Sequence, residues 1–587
     1  MLFAHAVFCV IMSLYAIDLR IKIWYNYKQY QPDILTGKLM FWRRLFVKMT
    51  VSQAMVECLK AENIKVVYGY PGAAICPFYD ALLDADDEIK NVLVRQEANG
   101  GHAANGYARI TGKPAVCIAT SGPGATNLIT AIATAYADSI PIVCITGQVN
   151  TDQIGSDVFQ EADITGSAEP FVKHSYLLKD PEDLPRVFKE AFYISGSGRP
   201  GPVLIDVPMD VQKAVIDFEY PESCEIRSYR PTVNGNYLQI KRIVKALSEA
   251  KKPLICTGGG VFAANAQAEI VKLSEIMQIP AITTMMGLSA FSNDNSLFYG
   301  MIGTHGCKLA NYAVNECDLL FLVGARVGDR AVKTPLQLEK TTKILHIDID
   351  PAEIGKNMGV DYPLVGDAKN VLKQIIEIAP EMKHDEWIHQ LDEHKENKSL
   401  LQPLEGTVNP HVFIDKLAEK MPADSNIVAD VGQNQIWTTR YNFKNGGRFL
   451  TSGGMGTMGY SIPAAIGAKM ADPKRKTVAL CGDGAFQMNF MELATAVQFN
   501  VDIKVVVFSN NRLGMVRELQ DKGYDGRETA VFLDGSPDFI KLAAAYGIPA
   551  LRVYDDATMD KGIEMISKHD GICLVEVCVD KQFPTLE

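Results

Sequence analysis

The feature that most constrains this chain is an alternation. Short, nearly continuous runs of apolar and β-branched residues are separated by longer stretches with helical spacing. IKVVYGY (64–70), AVCIATS (115–121), PIVCITG (141–147) and PVLIDVP (202–208) are such runs, and a helical pattern over residues 125–136 follows SGPG. A strand that is apolar along its whole length is covered on both faces, and strands joined through helices pair in parallel. The pattern therefore predicts a parallel sheet sandwiched between helices.

The alternation restarts twice. PLICTGGG (253–260), LLFLVGAR (319–326) and KILHIDID (343–350) mark a second unit, and SNIVADVG (425–432), TVALCGDG (477–484) and IKVVVFSNN (503–511) a third. A chain of 587 residues exceeds the size of one core, and three units fit it. The expected fold is α/β, with three doubly wound parallel-sheet domains over 49–225, 235–380 and 406–587. The polar, charged stretch 381–405 reads as a connector. The second unit carries its glycine-rich turns differently from the other two, so the three are not simple repeats.

Residues 2–17, LFAHAVFCVIMSLYAI, are almost uninterruptedly apolar, but the run is short for a spanning helix and lacks the cationic start of a signal peptide. Met49 opens MTVSQAMVECLKAENIKVVYGYPG, an ordinary domain start. Residues 1–48 therefore read as a leader added by an upstream start; a membrane anchor is the other reading. A net charge of −11 without a basic run argues against nucleic acid as a partner. The twelve cysteines are scattered with no C-x-x-C pair, and Cys117, Cys144 and Cys481 sit inside strand-like runs. Buried, reduced thiols in a cytoplasmic protein are the expectation.

The chemistry concentrates at CGDGAFQMNF (481–490). Asp483 follows a buried strand and precedes helical spacing, which places it where doubly wound sheets bind ligands. Taken alone it is equally an N-cap aspartate. A second polar cluster shifts the balance: Asn510 and Asn511 follow the next strand, 27 and 28 residues on. Adjacent parallel strands would set Asp483 and Asn510 side by side, a carboxylate and an amide oxygen suited to Mg²⁺, which completes its shell with phosphate and water. GMGTMG (454–459) matches G-x-G-x-x-G, yet the strand before it, RFLTSGG, is weak, YSIPAAIGAKM follows, and a lone match of this kind is a weak signal. Those glycines suit close backbone approach to a cofactor instead. In RQEANGGHAANGYAR (95–109), Glu97 is either a first-turn glutamate or a group able to bond a heterocyclic nitrogen. SGPGATN (121–127) would be a phosphate loop taken alone.

Taken in order, Glu97, SGPGATN, GGMGTMGYSIPAA and GDG…NN make the chain resemble the thiamine-diphosphate decarboxylases and carboligases, from Met49 to about Val579. Among these it most resembles the family of acetolactate (acetohydroxyacid) synthase catalytic subunits. The resemblance implies a pyrimidine-binding, a central FAD-binding and a diphosphate-binding domain. It implies a homodimer or tetramer with active sites between chains, Glu97 of one chain facing the diphosphate domain of another, and a separate regulatory small subunit.

Carried over residue by residue, Asp483 and Asn510 hold Mg²⁺ with the Arg512 carbonyl. Glu97 bonds the cofactor's aminopyrimidine, and YGYPG (68–72) with SGPGATN shapes that side. Met458 bends the cofactor, and Gly432, Gln433, Gly456, Gly482, Gly484 and Met515 line it. Gln160 stands near the reacting centre, and Arg330 receives the second ketoacid's carboxylate. Arg199, Gly258, Gly259, Gly260, Gly303, His305, Gly324, Arg326, Asp348 and Asp367 correspond to FAD contacts, the flavin having no net redox part. The implied reaction decarboxylates pyruvate and joins the two-carbon unit to pyruvate or 2-ketobutyrate, giving 2-acetolactate or 2-aceto-2-hydroxybutyrate for branched-chain amino acids.

The chain also departs from the family pattern. R-F-D-D-R reads Arg326-Val327-Gly328-Asp329-Arg330 and R-H-E reads Arg95-Gln96-Glu97. Met209 replaces a lysine, Asn434 a histidine and Leu519 a tryptophan associated with 2-ketobutyrate as acceptor. Acceptor preference therefore stays open. So do two alternatives: a flavin-dependent pyruvate oxidase or other ketoacid carboligase, and a non-catalytic, membrane-tethered paralogue.

Overall fold

The computed structural model describes residues 47–395 and 400–586. The leader reading falls almost wholly outside them. Residues 47–49 and 215–219 form a small unit of their own, in which β1 (Val47–Thr50) and β8 (Val215–Phe218) make a two-stranded sheet.

The rest carries three six-stranded sheets in which every neighbouring pair is parallel. The first holds β2 (Val66–Tyr70), β3 (Lys90–Leu93), β4 (Ala115–Ala119), β5 (Ile142–Gln148), β6 (His174–Leu177) and β7 (Val203–Pro208). The second holds β9 (Pro253–Thr257), β10 (Ala281–Thr283), β11 (Phe298–Met301), β12 (Leu319–Val323), β13 (Lys343–Asp348) and β14 (Tyr362–Val365). The third holds β15 (Asn426–Ala429), β16 (Arg448–Leu450), β17 (Thr477–Gly482), β18 (Ile503–Ser509), β19 (Ala550–Val553) and β20 (Cys573–Cys578). Every residue of β4, β5, β7, β9 and β12 is buried, as continuous apolar runs require.

Strand order separates the domains. The first sheet runs β3-β2-β4-β5-β7-β6 and the third β16-β15-β17-β18-β20-β19, the same order once each is counted from its own first strand. The middle sheet runs β11-β10-β9-β12-β13-β14, which is the dinucleotide-binding order. In each sheet the order reverses between two central strands, and that switch point is where ligands of doubly wound sheets sit. The switch points lie at β2/β4, β9/β12 and β15/β17.

The first and third domains meet through helices α1 (Glu97–Thr111) and α2 (Ser461–Ala471). Both are rich in alanine and glycine, and the backbones touch: a Cβ at Gly106 would strike the Ala464 carbonyl, and one at Gly467 the Ala103 carbonyl. Below α1, Glu492 receives the Arg95 amide at 2.8 Å and the Asn99 side-chain amide at 2.9 Å. In the expected connector, helix Asp385–Glu393 buries Trp387 and Leu391 in the central core, and the Trp387 indole donates to the Pro253 carbonyl at 3.1 Å. That helix packs as part of the central domain.

Candidate active site

Pairing of β17 with β18 sets Gly482 opposite Phe508, so Asp483 and Asn510 emerge on the same rim. Helix α3 (Asp483–Asn489) starts at once, with Gly482 as its N-cap, so Asp483 is the first helical residue and the N-cap reading is corrected. Its carboxylate works across the rim. Oδ2 accepts the backbone N–H groups of Asn510 at 3.1 Å and Asn511 at 2.6 Å, while Oδ1 accepts that of Gly484 at 2.9 Å. Burial raises the carboxyl to about 6, against the pull of those amides. Asn510 donates through Nδ2 to Gln433 Oε1 at 3.1 Å, and its Oδ1 accepts the Arg512 amide at 3.1 Å. Asp483, Asn510 Oδ1 and the Arg512 carbonyl are hard oxygens with a single carboxylate among them, a donor set that suits Mg²⁺ beside a phosphate. Among the described residues no cluster of three or more His, Cys, Asp and Glu side chains offers a competing metal site.

Gly432, three residues beyond β15, has φ +134°, a conformation open to glycine, and caps helix Gln433–Thr438. Asn434, where the family pattern has a histidine, spends its Nδ2 on the carbonyls of Asp430 at 2.9 Å and Leu480 at 3.1 Å, pinning β15 to β17. Gly456 is exposed with φ +68° and nothing near its Cβ position. Met515 is half-buried in the first turn of α4 (Gly514–Gly523).

In the first domain, YGYPG and SGPG converge on the β2/β4 switch point, where a Cβ at Gly72 would strike Thr120. Glu97 opens α1 and accepts from Asn127 Nδ2 at 2.9 Å. Gln160, with φ +60°, sits against Gly122, where a Cβ would lie 3.0 Å from it.

A cavity of about 380 Å³ joins this region to the third domain of the same chain. Gln96, Asn99, His102 and Asn127 line one side, Thr457, Met458, Met488 and Asn489 the other. Asn99 Oδ1 and His102 Nδ1 are buried there without a hydrogen-bonding group, and burial depresses His102 to about 4, which keeps it neutral. The polar side chains of one wall and the methionines of the other suit a polar heterocycle.

In the central domain, the β9 and β12 turns close on each other. The Gly258 and Gly260 amides donate at 3.0 Å to the Val323 and Gly324 carbonyls, and a Cβ on either glycine would strike Gly324. Gly259 follows with Met286 beside it. Glycine at 258, 260 and 324 is thus first required by backbone contact. Asp348 ends β13, raised to about 6 by burial, and Asp367 caps helix Ala368–Ile376. Arg199 is committed to Asp350 at 3.1 Å and Glu353 at 2.7 Å. Arg326 is exposed, and so is Arg330, which pairs with Asp329 at 3.6 Å. The Arg330 carbonyl accepts the Thr304 amide beside Gly303, and His305 lies within the fields of Arg330, Glu518 and Lys522.

Two site residues escaped the sequence reading. Asp430 is buried and receives the amides of Val431, Gly459 and Ser461 at 2.8–2.9 Å, fixing the turn that carries Met458. Glu518 accepts from Gln433 Nε2 at 2.8 Å. Its only signal in the sequence was a position on α4, eight residues after Asn510.

Family models match all three domains: the N-terminal TPP binding domain of thiamine pyrophosphate enzymes over residues 49–167, their central domain over 240–375 and their C-terminal TPP binding domain over 430–577. The chain is 44% identical over 547 residues to a probable acetolactate synthase large subunit of Methanocaldococcus jannaschii, covering 91% of this chain and 92% of that one. It is 42% identical to the acetolactate synthase of Arthrospira platensis, with 91% and 95% covered. It is 39% identical to the acetolactate synthase isozyme 3 large subunit of Escherichia coli strain K12, with 90% and 94% covered.

Proposed function

Because the chain belongs to the thiamine pyrophosphate enzymes and, within them, to the family of acetolactate synthase large subunits, we propose that it makes acetolactate. It decarboxylates pyruvate and ligates the two-carbon unit to a second 2-ketoacid, pyruvate or 2-ketobutyrate, in the branch leading to valine, leucine and isoleucine. The observation that carries this reading is the β17/β18 rim, where Asp483 and Asn510 stand together beside the β15/β17 switch point.

Thiamine diphosphate, when bound, supplies the electron sink for decarboxylation of a 2-ketoacid. Asp483, Asn510 Oδ1 and the Arg512 carbonyl would hold Mg²⁺ against its phosphates. Glu97, which accepts from Asn127, would hold the proton shared with the aminopyrimidine. Met458, which lines the cavity, would shape the cofactor site, Gly456 would lie against the cofactor, and Gln160 would stand near the reacting ketoacid. Arg330, exposed and paired with Asp329, would pair with the second ketoacid's carboxylate.

The central sheet's strand order and its glycine-lined crevice support FAD there. Gly303, His305, Arg326 and Asp348 lie among its turns, while Arg199 and Asp367 would have to share their present engagements. The relatives' description as large subunits supports a smaller regulatory chain. A homodimer or tetramer with sites between chains and a cytoplasmic location belong to the same reading. No helix among the described residues is long and apolar enough to cross a membrane.

The test is product formation by purified protein with thiamine diphosphate, Mg²⁺ and FAD, given pyruvate alone and then with 2-ketobutyrate. Acetolactate is expected, and Glu97→Gln should lower its rate at least about a hundredfold. Unchanged activity in that variant, or steady flavin reduction with electron output in place of carboligation, overturns the assignment.

A further inference from the structure

We propose that Glu518 is a positioning residue for the divalent-ion site: it orients Gln433, and through it Asn510, so that an amide oxygen and not an amide NH₂ is left for the ion. The inference rests on the ion site proposed above and goes beyond it to a group that touches neither ion nor cofactor.

The orientation follows from which atoms can only accept. Glu518 Oε1 takes three donors: Gln433 Nε2 at 2.8 Å, the Thr585 amide at 2.6 Å and the Thr585 hydroxyl at 2.8 Å. Gln433 Nε2 also donates to the Phe583 carbonyl at 2.9 Å. A carboxylate and a carbonyl have no proton to give, so Gln433 must turn its NH₂ toward both. Its Oε1 then faces Asn510, which answers with Nδ2 at 3.1 Å. Only then is Asn510 Oδ1 left on the other side, where it accepts the Arg512 amide and keeps a second lone pair. Glu518 and the Phe583 carbonyl thus set the Gln433 amide, and Gln433 with the Arg512 N–H sets that of Asn510.

Two further contacts show that the relay is built into the fold. Gly514 opens α4, and a Cβ there would collide with Gln433 Oε1. The Glu518 side chain also secures residues 583–585 through Thr585, and that segment supplies the second acceptor for Gln433 and the Pro584 carbonyl bound by Trp437 at 3.0 Å. Glu518 therefore governs both groups that set the amide. Arg517 and Lys522, at 3.7 and 3.6 Å, balance its charge without replacing it as an acceptor.

The test uses the full chain with thiamine diphosphate and follows Mn²⁺, as a probe for Mg²⁺, by electron paramagnetic resonance. Asp483→Asn first establishes the site: if it binds Mn²⁺ as the wild type does, the ion-site reading fails, and Glu518 is not what was tested. If it does not, Glu518→Leu is expected to weaken Mn²⁺ binding on the order of tenfold or more, the usual effect of losing a group behind a metal ligand. Glu518→Gln should recover most of the affinity, because its Oε1 can still accept from Gln433. Glu518→Asp, which withdraws the acceptor by one methylene, should fall between and decides the matter if the leucine variant does not fold. Wild-type affinity in the leucine and aspartate variants overturns the proposal. So does an equal loss in the glutamine and leucine variants, which would point to charge and not to the acceptor.

Discussion

Burial holds the carboxyl of Asp206 up at about 7, although Thr146 and Gln148 both donate to it, at 2.7 and 2.9 Å. In the unfolded chain the same group titrates near its ordinary value of 3.8. The folded state therefore binds this proton more tightly, and the group's contribution to stability falls as pH rises from about 4 to about 7. Asp206→Asn removes the titration while keeping the shape. Thermal unfolding across pH 5–8 should show the variant gaining on the wild type as pH rises, by about 2 kcal/mol and at most about 3. A difference that does not change with pH would show that Asp206 stays ionised in the fold. The same Gln148 Nε2 donates to the Ala162 carbonyl at 2.8 Å, so this buried carboxyl also anchors the loop that carries Gln160. None of this was legible in the sequence. Asp206 sits in an apolar strand and reads there as one polar interruption, and its donors are some 60 residues away. Asp483 was legible because both halves of its site fall on strand ends, which periodicity marks. Asp430 and Glu518 were not, because what they hold is fixed by folding and not by spacing.

At the scale of elements, the close crossing of α1 and α2 carries the contact between the first and third domains. Gly106 and Gly467 permit it by leaving each backbone against the other helix's carbonyls. Gly467→Ala would place a methyl into the Ala103 carbonyl, where no flexible side chain can yield. The helices must separate, at a cost of roughly 1–3 kcal/mol or more. Denaturant unfolding should show that loss, and the cavity between Gln96 and Met458 should open with it, so thiamine diphosphate affinity is expected to fall in parallel. An Ala variant as stable and as tightly binding as the wild type would mean that the helices slide apart without cost. In the sequence these glycines looked like small residues on helices and nothing more. Helix interruptions are equally hidden: the helical spacing after Asp483 runs on through a break between Asn489 and Glu492, and that over 125–136 through one at Leu128. Periodicity survives a short break in register, so it reports a face without reporting continuity.

At the scale of the whole molecule, the sheet orders explain why one chain offers three crevices of two kinds. The outer domains share an order and divide the proposed cofactor between them, and the middle domain has the dinucleotide order. Three domains were legible from the restarting alternation, but the shared order of the outer two was not, since strand order depends on crossovers that leave no local trace. How the outer domains divide the cofactor decides the working unit. Within one chain, Gln96 and Asn127 already line a cavity with Met458 and Asn489, whereas the family resemblance puts Glu97 opposite the diphosphate domain of a second chain. Mixing two inactive variants separates these arrangements. In a hybrid of a Glu97→Gln chain and an Asp483→Asn chain, sites between chains pair the two changes in one site and leave the other intact. If sites lie within chains, every site carries one change and none is intact. After subunit exchange by dilution and reconcentration, about half of randomly formed dimers are hybrids, so about a quarter of wild-type activity should return. Acetolactate formation at that level supports the between-chain site, and no recovery despite exchange, checked by mass measurement of differently tagged chains, assigns the site to a single chain.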